Sequence, residues 1–216
     1  MEISEEANRW LDHVVENRRT VRSFKTGVPD RESIQAIIHA GLWAPYAGIA
    51  IADENDFRRF FVIQNGNSLL NQISELLQQQ AQIWAKDMEA RFAQQPLLKE
   101  KGQAYLGRIS NMAKNGFPDL LKAPCLIVVA EQKGIPPAER QSLAHVVQNM
   151  WLKATALGVG LRLVSAIERL SENSDFCNLF GVSLGGFAFT GCIIGFAAEE
   201  PRARKRPADR DVTRWM

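Results

Sequence analysis

The 216-residue chain is long enough to bury one substantial core. Apolar residues make up 46% and charged residues 23%, a soluble globular balance far from that of disordered chains, and the formal net charge of +2 excludes a molecule-wide field for nucleic acid, so any anion site has to be local. Cys125, Cys177 and Cys192, odd in number and without a CxxC pair, exclude a disulfide framework and a zinc site and fit a reducing cytoplasm.

The acidic start, Met1-Glu2-Ile3-Ser4-Glu5-Glu6, is unlike a secretory signal, and no apolar run approaches the ~18–20 residues that cross a bilayer. Ala7, Trp10, Leu11, Val14 and Val15 then recur at helical spacing behind a possible Ser4 cap, which predicts a helix over 5–17. A second helix, capped by Asp30, carries Ile34, Ile37, Ile38 and Leu42 as its buried stripe and stops before Pro45. Residues 58–63 read as a strand from their aromatic and β-branched content. From Leu69 to Met88 the pattern is helical; it breaks near Pro96 and resumes through Tyr105, Ile109 and Met112, with Gln78-Gln79-Gln80 as a solvated face. The apolar run Cys125–Ala130 reads as a central strand covered on both faces. A core helix follows through Leu143, Val146, Val147, Met150, Trp151, Ala154 and Leu157, closed by Gly158. Strands at 160–164 and 187–197 flank a helix that uses Phe176, Leu179 and Phe180, so the whole reads as one three-layer α+β or α/β domain over 1–216.

The strongest chemical signal is Arg18-Arg19-Thr20-Val21-Arg22-Ser23-Phe24. In an extended segment Arg18, Thr20 and Arg22 face one side and together suit a phosphate monoester. The alternative is that these arginines answer the dipole at the end of the first helix. A second basic cluster, Arg202, Arg204, Lys205, Arg206 and Arg210, follows directly on a strand and is placed to close over a ligand. Gly158-Val159-Gly160 lacks the third glycine of a dinucleotide loop, and Gly185-Gly186 has no P-loop lysine. Ser183 has GxSxG spacing without the strand-to-helix elbow, and His13, His39 and His145 make no metal spacing. No catalytic side chain and no metal are therefore assigned.

In order, these features resemble the nitroreductase family: the Arg18–Phe24 motif, Val28-Pro29-Asp30, Ala44-Pro45, Gln148-Asn149-Met150-Trp151-Leu152, Ala156-Leu157-Gly158-Val159-Gly160 and Gly195-Phe196 with its basic tail. The resemblance covers both ends and the central helix but not residues 49–123. It implies an α+β, three-layer α-β-α fold around a mixed, mainly antiparallel sheet, assembled as a cytoplasmic homodimer with FMN in clefts between subunits. By position, Arg18, Arg19, Thr20 and Arg22 resemble the phosphate and ribityl contacts. Arg204 and Arg206 resemble the C-terminal contacts, with Lys205 as the alternative register, and Ser165 and Ala166 lie where the family's backbone faces the flavin ring. The chain departs from the family at Ile49 and Ile51, which stand where Asn and Gln are common. The implied activity is electron transfer from NAD(P)H to a nitroaromatic, a quinone or a similar small acceptor, without nucleic acid or membrane as partner. The alternative is an FMN carrier or sensor with little turnover.

Overall fold

The computed structural model describes residues 4–46, 56–202, 208 and 212–216; Ile49, Ile51, Arg204, Lys205, Arg206 and Arg210 lie outside the described residues. Helix α1 (Glu5–Asn17) starts where Ser4 Oγ accepts the Ala7 N–H at 3.2 Å. Helix α2 (Arg31–Leu42) starts likewise at Asp30, whose carboxylate accepts the Ser33 N–H at 2.7 Å and is held below its ordinary pKa by that bond. Strand β1 (Arg58–Gln64) leads into an antiparallel helical hairpin, α3 (Leu69–Gln94) and α4 (Pro96–Asn115), with Pro96 at the first position of the second helix. A short helix α5 (Pro118–Leu121) precedes strand β2 (Cys125–Gln132). Helix α6 (Glu139–Ala156) ends before Gly158, whose φ of 69° is the left-handed exit from a helix. The chain closes with β3 (Gly160–Leu163), a 3-10 turn (Ser165–Leu170), α7 (Ser174–Leu179) and β4 (Phe187–Gly195).

The four strands lie in the order β1-β2-β4-β3 with every ladder antiparallel. Alternation along β2 divides two cores. Cys125, Ile127 and Val129 face α2 and α6, while Leu126, Val128 and Ala130 face α3, the 3-10 turn and α7. Both faces of β2 are thus dry, as its unbroken apolar run predicts. Among the described residues, the parallel component expected of the sheet is reduced to one isolated bridge, between Thr20 and Leu161 of β3. No helix described is long and apolar enough to cross a membrane. All three cysteines are buried and unpaired, and burial pushes the Cys125 thiol up to about 12.

Four local expectations need correction. Leu42 is 51% exposed, because the inward position of that turn falls on buried Gly41, about 100° around the helix. Gln78 is not a solvated residue: its amide donates to the carbonyls of Ala113 and Lys114 at 3.3 and 3.2 Å and so ties α3 to the end of α4. Leu157, expected on the core face, is 40% exposed as the cap residue that follows α6. Helix α1 spans the residues expected of it but buries none of them in this chain, and Trp10, Leu11 and Val15 are half or more exposed.

One polar network lies inside the apolar layers. Arg58 on β1 and Glu131 on β2 are cross-strand partners joined at 2.6 Å, with side chains 1% and 0% exposed. The rest of the Arg58 fork donates to the carbonyls of Gly41 and Ala44 and to Ser142 Oγ on α6. Burial pushes the Glu131 carboxyl up, opposed by Ser142 and Arg58, and its Oε1 has no partner among the described residues. Arg58→Ala would leave a buried carboxylate without its cation and should cost about 3–5 kcal/mol. Arg91→Ala, which breaks an exposed pair with Asp87, should cost no more than about 1 kcal/mol. Urea unfolding of both variants checks the contrast, and equal losses would show that the buried pair is not what holds these layers.

Candidate functional site

Where α1 ends, the chain turns extended and is stitched to the sheet at two places. Val21 N–H donates to Leu161 O at 3.2 Å; further on, Lys25 N–H donates to Phe196 O at 2.8 Å and Ala198 N–H to Ser23 O at 3.0 Å. Val21 is buried, and alternation turns its neighbours Thr20 and Arg22 to the other side, where Arg22 is exposed; the alternation ends at Phe24, which packs against the core. This close approach depends on Gly160: a Cβ there would lie 2.5 Å from Val21 Cγ2 and 3.1 Å from Gly195 O.

The two arginines at the start of the motif do different things. Arg19 folds back and donates to the carbonyls of Glu16 and Arg18, so for this residue the helix-end reading of the sequence is realised. The Arg18 guanidinium lies over the Trp151 ring, 4.4 Å from its centroid. The same indole donates its Nε1–H to Arg19 O at 2.9 Å. Arg22 is exposed.

Residues 18–23 and 199–202 form the walls of a concave region of about 570 Å³. Four arginines, Arg18, Arg19, Arg22 and Arg202, line it together with Glu199 and Glu200, so its balance is cationic. Hydroxyls come from Thr20 and Ser23. Such a set can hold a small dianion through charge-assisted bonds.

A second, larger cavity of about 1080 Å³ opens between α6, the 3-10 turn and β4, with Val147, Gln148, Trp151, Ser165 and Thr190 among its walls. Trp151 lines this cavity and carries Arg18, a wall of the first space, over its ring, so the contact between these two residues links the two spaces. Ion pairs cross the rim from Arg140 to Glu168 at 2.7 Å and from Lys133 to Glu172 at 2.6 Å. Of the two residues assigned to this stretch from sequence, Ser165 lines the cavity while Ala166 packs against the opposite core. Among the described residues, no group of three or more His, Cys, Asp or Glu could hold a metal ion.

The structure therefore brings Arg18, Arg19, Thr20 and Arg22 to one concavity and Ser165 to its neighbour; Arg204 and Arg206 lie outside the described residues. Sequence reasoning missed Trp151 as a wall of the site and Ser23, Glu199 and Glu200 as lining. The one signal for Trp151 was chemical: an indole N–H on a core helix requires an acceptor.

A family model described as the nitroreductase family matches residues 15–197. Among solved structures, a nitroreductase with bound FMN from Bacteroides fragilis NCTC 9343 superposes with a TM-score of 0.68 at 16% identity, covering 95% of this chain and 98% of that one. A nitroreductase with bound FMN from Desulfitobacterium hafniense DCB-2 gives 0.65 at 21% identity over 96% and 98%. A BluB-like flavoprotein from Clostridium difficile 630 gives 0.68 at 19% identity over 95% and 98%. At such identities the likeness is one of fold. A search of curated proteins returned no match.

The stitching of the arginine segment can be tested at Gly160. Gly160→Ala forces a methyl group into Val21 and should destabilise the protein by about 1–3 kcal/mol, the usual cost of overpacking. Adding Val21→Ala should recover part of that loss. Thermal unfolding of the single and double variants measures this coupling, and strict additivity would mean that Gly160 is not what admits the segment.

Proposed function

The chain belongs to the nitroreductase family, and we propose that it is an FMN-dependent oxidoreductase that passes electrons from NAD(P)H to a small acceptor such as a nitroaromatic or a quinone. The observation that carries this reading is the pair of spaces linked by the contact of Arg18 with Trp151. One is small, cationic and edged with hydroxyls; the other is wide and walled by an indole and by sheet residues. A phosphate monoester on a flat heterocycle needs that combination. The donor set fits the group: Arg18 and Arg22 would take the phosphate, with Thr20 and Ser23 adding hydroxyl donors and Arg19 fixing the segment's start. Arg204 and Arg206 would add C-terminal contacts.

When bound, the flavin supplies the two-electron redox chemistry, which explains why no nucleophile or metal cluster is needed. The protein's part is to bind and orient. Ser165, at the start of the 3-10 turn, and Trp151 both line the wide cavity, where the Ser165 backbone would face the ring and the indole would help to hold it. The ion-paired rim leaves the wide cavity open for reductant and acceptor in turn.

A homodimer belongs to the same reading, but its basis shifts. The large side chains of α6 call for no partner subunit: Met150 is buried in its own chain, and Trp151 is engaged by Arg18 and Arg19. An unpartnered apolar surface lies on α1, where Trp10, Leu11 and Val15 are 63%, 54% and 50% exposed. A second reading, an FMN carrier with little turnover, is favoured by Ile49 and Ile51, which cannot donate to the ring as Asn and Gln would. Purified protein separates the two: yellow colour with NAD(P)H oxidation supports the enzyme, and colour without oxidation supports the carrier.

FMN should bind in preference to riboflavin, and Arg22→Ala should weaken FMN by about 1.5–3 kcal/mol, the scale of a hydrogen bond to a charged group. Titration of apoprotein with both flavins measures this; equal affinities would mean that the cluster does not read phosphate. Leu11→Asp should shift the protein from dimer to monomer in sedimentation at micromolar concentration while leaving the chain folded. A wild-type monomer under those conditions would remove α1 as the interface.

A further inference from the structure

Trp151 holds two residues of the arginine segment at once, from a helix that the segment otherwise meets only in passing. Its N–H fixes the backbone at Arg19 O, and its ring face carries the Arg18 guanidinium. The indole itself is firmly placed. Met150 and Val147 beside it are in the core, and the Trp151 carbonyl accepts Thr155 Oγ–H at 2.8 Å. An arginine side chain has several rotatable bonds, and a guanidinium already set on an aromatic face loses less freedom when it meets an anion.

From this we infer that Trp151 is a positioning residue that sets the preference for a phosphorylated flavin, by holding Arg18 toward the anion end of the site. The inference rests on the FMN reading and adds a determinant outside the arginine motif. Trp151 lines the wide cavity and touches Arg18 of the cationic one, so loss of its ring would perturb flavin binding in general. Its specific signature is the ratio of FMN to riboflavin affinity.

The test is a thermodynamic cycle on the full chain, with FMN and riboflavin titrated into apoprotein of wild type, Trp151→Leu, Arg18→Ala and the double variant. Trp151→Leu should lower the FMN-to-riboflavin ratio roughly two- to thirty-fold, the span of a cation–π contact from exposed to desolvated sites. In the Arg18→Ala background the same change should leave the ratio unaltered. Trp151→Phe keeps a ring face but loses the N–H, and its ratio should fall between wild type and Trp151→Leu; it closes the cycle if the leucine variant does not fold. A purely structural role would lower both affinities by one factor and leave the ratio intact, which overturns the inference alone. An equal fall in ratio with and without Arg18 also overturns it. Wild-type protein that binds riboflavin as tightly as FMN overturns the cofactor reading and the inference together.

Discussion

Strands β1 and β2, the end of α2 and the start of α6 all meet at the buried pair of Arg58 and Glu131. Two charges removed from water are costly unless nearly every donor and acceptor is answered, and here the answers come from four different elements. Arg58 grips the carbonyls where α2 ends, Glu131 holds Arg58 across the strand ladder, and Ser142 brings the start of α6 into the same cluster. A slip of any one element would strand an ion in a dry layer. The pair therefore contributes placement rather than net stability, and what it places is α6, which carries Trp151 at its far end.

From α6 outward, the site follows from close approach. The extended segment after α1 can lie against the sheet only because Gly160 leaves room for Val21, and once Val21 is inward its neighbours Thr20 and Arg22 have to face out. Backbone bonds to Leu161 and Phe196 then keep the segment from sliding. A cationic concavity results from one buried valine and one missing Cβ, with none of its own four arginines buried.

Much of this was legible in the residues. The span of α1, the central position of Cys125–Ala130 and the exit at Gly158 followed from caps, period and composition, because those signals are local. What escaped depends on distance along the chain. Arg58 meets Glu131 from 73 residues away and Trp151 meets Arg19 from 132 away, and no spacing rule reports such pairs. The 3-10 turn at Ser165–Leu170 escaped because its shape comes from burying Ile167 and Leu170 under the sheet. The same local logic that found α1 expected Leu42 inside; a single step around the helix put Gly41 there instead.

The α3–α4 hairpin has its own small core of Ala81, Ala85 and Ile109, with Trp84, Met88 and Met112 around it, separate from the two cores that sandwich the sheet. Toward its tip, the residues pack mainly on each other, as Phe92 does against Gly102. Turns could be added to or removed from that end in matched pairs without disturbing the strands or the arginine segment. The hairpin is thus the part of the architecture in which length is free to vary across generations, while the sheet and its flanking helices are bound to their present dimensions.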